Sequence, residues 1–366
     1  MAELKILIAG GGTGGHLFPA LAIGEEIHKR KPRAEIHYVG SNFGLEAKVF
    51  PIKDVWHTLL PIRGFQRGIS LQSIFQNSLL PFRIIKSMLK MKSLMKEFVP
   101  QVVIGTGGYA SALPLYYASN QDDPLPIILQ EQNSFPGITT RWYAKKANKI
   151  CVAFNEATKY FDSNTVVTGN PVRQGISNGN KAKGIQEFRL KNNQKTIFIF
   201  GGSQGSAYLN KMVSNVAKNI SGAGIQILWQ TGDREYSKYK DFESKQIRIV
   251  PFIHNMADAY AIADLIICRS GALTLAEVTV CGKPAILIPF PFAAGDHQTK
   301  NAQSLVSKGA ARILFERTLN TADFLHAIMN LIHDNEELIK MCKASNKLGK
   351  PNATSEIVDY ILEATK

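Results

Sequence analysis

The sequence predicts an α/β protein built from two doubly wound domains, each a parallel sheet with helices on both faces. Two widely separated sections open alike, with a short β-branched run, a glycine loop and then an apolar-periodic helix. Other short apolar runs alternate with helical stretches in both halves, the pattern of strands covered on both sides. A length of 366 residues is long for one domain and suits two.

In chain order, residues 5–9 read as a strand. Gly10-Gly11-Gly12-Thr13-Gly14-Gly15-His16 follows as a loop, and a helix is expected near 19–28. Further strands are expected at 35–39, 102–104, 127–129 and 150–153. A second glycine cluster, Gly105-Thr106-Gly107-Gly108-Tyr109, follows the second of these. Residues 81–98 read as a helix whose Ile84, Met88, Leu94 and Phe98 turn to the core, preceded by an exposed loop. Thr168-Gly169-Asn170-Pro171-Val172-Arg173 and the polar stretch 177–183 mark the boundary. Domains are therefore expected at 1–170 and 171–350 with a central cleft, and a closing helix in 351–366 packing back on the first. The second domain opens with a strand at 196–200, the loop Gly201-Gly202-Ser203-Gln204-Gly205-Ser206 and a helix near 209–218. Its remaining strands are expected at 226–229, 248–250, 265–267 and 285–289.

Apolar residues at 45% and charged residues at 20% exclude a disordered chain. A net charge of +14 favours an anionic partner: nucleic acid, an acidic membrane or a phosphorylated substrate. Arg63, Arg67, Arg83, Lys86, Lys90, Lys92 and Lys96 crowd one stretch that has no Asp or Glu. Neither a stacking-aromatic motif nor a helix-turn-helix pattern accompanies it, which argues against nucleic acid. The four cysteines, Cys151, Cys268, Cys281 and Cys342, form no C-x-x-C pair and suit a reducing compartment. Met1-Ala2-Glu3-Leu4-Lys5 runs straight into the first strand, so secretion is not expected. No apolar run approaches the ~20 residues that span a bilayer, so any membrane contact is expected to be peripheral.

Gly10 to Gly15 fits G-x-G-x-x-G, but a dinucleotide fold wants an acid ending the second strand. That strand ends Tyr38-Val39-Gly40-Ser41-Asn42, with Glu35 before it and Glu46 beyond, which weakens the dinucleotide reading. What remains is backbone able to approach an anion or a sugar at a helix start, or a plain tight turn. His16 falls where the positive end of the helix dipole disfavours imidazolium. A neutral imidazole can take a proton from a sugar hydroxyl, an effect worth roughly 10²–10⁴ in rate. A capping or packing histidine is the equal alternative.

In the second half, the loop at 201–206 and its Ser203 hydroxyl are candidates for a diphosphate. The chain has no D-x-D, H-x-H or H-E-x-x-H, so no metal or other cofactor is expected. Charge on a leaving group would fall to amides, hydroxyls and arginines. Arg269-Ser270-Gly271 leads into a helix carrying Glu277, either a partner for ribose hydroxyls or a first-turn acid on the helix dipole. Asp296-His297-Gln298-Thr299-Lys300-Asn301 opens another helix with several partners for sugar hydroxyls.

Together these motifs, in this order, resemble the MurG family of bacterial cell-wall N-acetylglucosaminyltransferases, as do Glu131-Gln132-Asn133 and Pro251-Phe252-Ile253. The resemblance spans nearly the whole chain. It implies a glycosyltransferase-B fold and inverting transfer from UDP-N-acetylglucosamine to the 4-hydroxyl of an undecaprenyl-diphosphate-linked muramyl pentapeptide. The setting would be the cytoplasmic face of the bacterial inner membrane. It implies His16 as base. Thr13, Gly14, Gly15, Asn133, Arg173, Ser203, Ile253, Ala272, Leu273, Thr274, Leu275, Ala276, Glu277 and Gln298 would hold the donor, with Ile253 reading uracil through its backbone and Glu277 holding the ribose. Gly107, Gly108 and Tyr109 would hold the acceptor. Some members carry a second glutamine where His297 or Thr299 stands here, so the contact to the sugar's 3- and 4-hydroxyls is the weakest transfer. Phe75, Leu79, Phe82 and Lys86 are similar to a patch that docks on an anionic membrane. A UDP-N-acetylglucosamine 2-epimerase would share the architecture but needs no lipid acceptor, and a basic membrane-binding protein would leave three glycine loops unexplained.

Overall fold

The computed structural model describes residues 3–64, 70–162, 164–202 and 204–366. They form two compact units, one of Met1–Pro171 with Asn352–Lys366 and the other of Val172–Pro351.

The first unit holds a seven-stranded, all-parallel sheet: β1 (Lys5–Gly10), β2 (Glu35–Ser41), β3 (His57–Leu60), β4 (Val102–Gly107), β5 (Ile127–Glu131), β6 (Lys149–Val152) and β7 (Thr165–Val167). The spatial order is β3-β2-β1-β4-β5-β6-β7. Alternate residues of the central strands feed opposite faces, as the two-residue period of a strand requires. Leu7, Ala9, Val103 and Leu129 pack with Met91, Leu94 and Leu115 on one side. Ile6, Ile8, Ile104 and Ile128 pack with Leu17, Ile23 and Ile27 on the other. The closing helix Ala353–Glu363 joins this second face through Ile357, Val358 and Ile361, all fully buried. Arg30 tethers it, 2.6 Å from Asp359 and 2.7 Å from Glu26.

The second unit holds six parallel strands: β8 (Thr196–Phe200), β9 (Gln226–Gln230), β10 (Ile247–Val250), β11 (Leu265–Cys268), β12 (Ala285–Leu287) and β13 (Ala311–Ile313). Their order is β10-β9-β8-β11-β12-β13. Ile197, Ile199, Trp229 and Ile267 pack against Val213, Val216, Phe324 and Ile328.

Both orders reverse direction beside the first strand of the unit, between β1 and β4 and between β8 and β11. Loops leaving the carboxyl ends of strands diverge at such a point and leave an open crevice for ligands. The glycine loops therefore sit where each sheet has room.

Several expectations need adjusting. The first helix runs Gly14–Arg30 and starts inside the glycine loop. Pro19 is the sixth residue of that helix, beyond its first turn, so the helix gives up one backbone hydrogen bond there, the one to the Gly15 carbonyl. Val102–Gly107 is one strand, so only Gly107 and Gly108 of the second cluster turn the chain. The expected exposed loop before residue 80 is a helix, Leu71–Ser78, followed by Leu80–Phe98. The buried stripe of that long helix is Ser87, Met91, Leu94, Met95 and Phe98, while Ile84 is exposed, because the core reaches only its last three turns. Among the described residues no helix is long and apolar enough to cross a membrane.

Candidate active site

In the first unit, Thr13 is the N-cap of helix Gly14–Arg30 but gives it no side-chain hydrogen bond. The first-turn amides, those of Gly14 and Gly15 among them, have no acceptor within the helix. Glu46 holds the loop in place. It is fully buried, and its two oxygens accept from the Gly12 amide at 3.0 and 2.8 Å, one of them also from the Ser41 amide at 2.8 Å.

His16 stands at the meeting of this loop with the end of β4. Its Nδ1 lies 3.0 Å from the Thr106 carbonyl and 2.8 Å from Gln132 Oε1, and the Thr106 hydroxyl donates back to the His16 carbonyl at 2.8 Å. Gly107 and Gly108 make this approach possible. Both have positive φ, at 97° and 80°, and a Cβ on Gly107 would fall 2.8 Å from His16 Nδ1. On Gly108 it would strike the Gly11 carbonyl at 2.2 Å. Tyr109 opens the next helix, Tyr109–Ser119, with its ring exposed.

Glu131, the last residue of β5, is committed elsewhere. It is buried, and it accepts from the amides of Asn133 and Gly137, each at 3.0 Å, holding Asn133 at the end of β5.

In the second unit, Arg269 joins the two crevice loops. Its Nε and Nη2 reach the Ser206 hydroxyl at 3.1 and 2.9 Å, its Nη1 donates to the carbonyls of Ile288 and Pro289, and Nη2 pairs with Glu316 at 2.6 Å. So employed, it braces the site. Ser203 lies outside the described residues. Gln230 ties the same loop to the segment after β10: its Nε2 donates to the Gly202 carbonyl at 3.1 Å, and its Oε1 accepts from the Ile253 amide at 3.0 Å. The Ile253 N–H is thereby occupied within the protein.

Glu277 is the sixth residue of helix Ala272–Val280, beyond the first turn, so the dipole reading fails. It is 8% exposed and accepts from the Tyr260 hydroxyl at 3.1 Å, while Arg173 Nε stands 3.2 Å from its other oxygen. Burial pushes its carboxyl above the ordinary range; Arg173 and Tyr260 pull it back. Ala272 and Leu275 are buried, Leu273, Thr274 and Ala276 half-buried. Leu275 thus packs inward and could meet a ligand through backbone alone. Ser270 donates to the Gln298 carbonyl at 2.8 Å, and Gln298 Oε1 accepts from the Phe290 amide at 2.9 Å.

On the surface of the first unit, Phe75 and Phe82 are 61% and 73% exposed, with Ile74, Ile85, Leu89 and Lys86 also exposed. Leu79 is half-buried.

Sequence reasoning gave no role to Glu46, Gln132, Gln230 or Tyr260. A polar residue at the carboxyl end of an otherwise apolar strand, as in Gln130 of β5 or Gln230 of β9, was the available signal.

The family descriptions "Glycosyltransferase family 28 N-terminal domain" and "Glycosyltransferase family 28 C-terminal domain" match residues 6–152 and 196–357. The chain is 40% identical to the UDP-N-acetylglucosamine–N-acetylmuramyl-(pentapeptide) pyrophosphoryl-undecaprenol N-acetylglucosamine transferase of Flavobacterium psychrophilum, over 99% of this chain and 98% of that one. It superposes on the MurG crystal structure from Acinetobacter baumannii with a TM-score of 0.78 at 27% identity, covering 98% and 99% of the two chains. The UDP-N-acetylglucosamine 2-epimerase of Neisseria meningitidis shares the fold, with a TM-score of 0.62 at 16% identity over 99% and 100% of the chains.

Proposed function

This chain belongs to the glycosyltransferase family 28 enzymes that transfer N-acetylglucosamine to N-acetylmuramyl-(pentapeptide) pyrophosphoryl-undecaprenol, and on that premise we propose how its residues divide the work. The protein moves N-acetylglucosamine from its UDP carrier to the 4-hydroxyl of the lipid-linked muramyl sugar, inverting the anomeric carbon, in peptidoglycan biosynthesis.

The second unit takes the donor. The Ile253 carbonyl accepts the uracil imide N–H, and Glu277, with Arg173 beside it, holds the ribose hydroxyls. The loop at 201–206, with Ser203, and the first-turn amides of helix Ala272–Val280 meet the diphosphate; their donors stabilise charge as it develops on the leaving group. Gln298 offers its NH₂ to the sugar, and Asn133, Thr13, Gly14 and Gly15 complete the donor contacts from the first unit. Gly107, Gly108 and Tyr109 contact the acceptor, and His16 takes the proton of the attacking hydroxyl. The exposed patch around Phe82 and Lys86 sets the protein on an anionic, cytoplasmic leaflet, where its lipid acceptor resides.

The observation that carries the chemistry is the seating of His16, whose Nδ1 faces two acceptors and leaves Nε2 for a substrate. The test is incubation with radiolabelled UDP-N-acetylglucosamine, with and without the lipid-linked muramyl acceptor, in EDTA. Lipid-extractable label that needs the acceptor and survives EDTA is the expected result. A sugar epimerised at C2 without acceptor would overturn the reading in favour of the epimerase chemistry.

A further inference from the structure

We infer that Gln132, with the buried amides behind it, decides which ring nitrogen of His16 carries the proton and thereby makes that residue a base. The inference rests on the reading of His16 as the group that deprotonates the acceptor. Both groups facing Nδ1, the Thr106 carbonyl at 3.0 Å and Gln132 Oε1 at 2.8 Å, can only accept, so Nδ1 carries the hydrogen.

The surroundings of Gln132 require it to present its oxygen rather than its nitrogen to the ring. The other end of its amide faces three acceptors: the Thr106 carbonyl at 2.8 Å, the Gln130 carbonyl at 3.1 Å and Gln130 Oε1. Only an NH₂ satisfies that environment. Gln130 is fixed in turn, donating to Asn170 Oδ1 at 2.9 Å, and Asn170 donates to the Gln132 carbonyl at 3.0 Å. All three amide side chains are at most 2% exposed, so none can turn over without leaving a buried polar atom unpaired.

A neutral imidazole holds one hydrogen. With it on Nδ1, the lone pair is on Nε2. That pair takes the acceptor hydroxyl's proton as the hydroxyl oxygen bonds the anomeric carbon and the carbon–oxygen bond to the diphosphate breaks, its electrons leaving with UDP. The resulting imidazolium keeps its Nδ1–H donated to the same two oxygens. Gln132 is uncharged, so it orients the ring without the extra pull of a carboxylate toward imidazolium. The carboxylates on the neighbouring elements do not substitute for it. Glu46 is turned onto the Gly12 and Ser41 amides, and Glu131 onto those of Asn133 and Gly137. The helices that follow β4 and β5 add the phenols of Tyr109, Tyr116, Tyr117 and Tyr143 and the Arg141 guanidinium, which lies over the Phe135 ring.

The test combines a pH profile of kcat with ¹⁵N NMR of the histidine ring, assigned by His16→Ala. Wild type is expected to show the hydrogen on Nδ1. Gln132→Leu should lower kcat about tenfold or more with the donor KM within about twofold, and should mix the two tautomers. Gln132→Glu, the same shape with a charge, should move the acid limb upward by about one pH unit. A hydrogen found on Nε2 in wild type, or a Gln132→Glu profile coinciding with wild type, overturns the assignment. Should the tautomer be as stated while His16→Ala retains full turnover, the failure belongs to the reading of His16 as base.

Discussion

Arg173 brings its Nε to 3.2 Å from Glu277 Oε1, so two residues 104 positions apart, which the sequence separately marked as donor contacts, form one ion pair. The pair is lopsided: Arg173 is half in solvent, whereas Glu277 is nearly enclosed and also holds the Tyr260 hydroxyl. A buried carboxylate kept ionised for a ligand costs the folded state something when no ligand is there.

Glu277→Gln measures that cost. Burial raises the folded carboxyl above its ordinary 4.5, so its contribution to stability is complete below pH 4.5 and is lost as the pH rises through the folded value. The variant lacks this titration. Relative to wild type, its stability should therefore improve as the pH rises from 4.5 toward 7, as read by urea unfolding. Donor affinity should fall about 10- to 100-fold, the loss expected for a hydrogen bond to a charged group, as read by calorimetry with UDP. A stability difference independent of pH would show that Glu277 titrates alike in the folded and unfolded chain.

Glu46 offers a different test, because it touches no substrate in the proposed arrangement. Glu46→Ala strips the acceptor from the buried amide of Ser41, at about 1–3 kcal/mol for a buried group left unpaired, and from the amide of Gly12, which is exposed and can turn to water. The urea midpoint should drop, and kcat should fall with it as Thr13, Gly14 and Gly15 loosen. Glu46→Gln retains one oxygen and should fall between. Unchanged kcat in Glu46→Ala would mean that the loop keeps its shape without this anchor.

The surface patch predicts a separation of binding from chemistry. Each basic group near an anionic leaflet is worth about 1 kcal/mol, and burying a Phe side chain about 1.5–3 kcal/mol. The double variant Phe82→Ser, Lys86→Glu should lose at least tenfold in affinity for phosphatidylglycerol vesicles by co-sedimentation. Turnover on a short-chain, water-soluble acceptor should hold. Equal vesicle binding by variant and wild type would remove this face as the docking surface.

Most of the sheet was legible because parallel strands buried on both faces are written as unbroken apolar runs, as in Ile197, Phe198 and Ile199. The strands β3, β7 and β13 were missed. Each is three or four residues long, lies at a sheet edge and is partly exposed, so no such run exists. The glycine loops announced the two crevices through backbone requirements that are local. Glu46, Gln132 and Gln230 act across separations of 34, 116 and 23 residues, through hydrogen bonds that exist only once the strands are laid side by side. No local pattern encodes such a pairing.

Gln230 is where that lesson meets the donor. A single buried amide connects the loop proposed for the diphosphate to the residue proposed to read the base, donating to the Gly202 carbonyl and accepting from the Ile253 amide. Gln230→Leu would leave both backbone groups without their partner, so the two subsites should loosen together. UDP affinity should fall about tenfold or more. Uridine, which lacks the diphosphate, should lose less than UDP, because only the Ile253 end of the link bears on it. Gln230→Glu retains an acceptor for Ile253 but sets a negative oxygen against the Gly202 carbonyl, which should hurt UDP more than uridine by a still wider margin. Calorimetric titration of both ligands against both variants decides the matter: equal losses for uridine and UDP would mean that Gln230 supports only the base, and no loss for either would mean that the donor is held elsewhere.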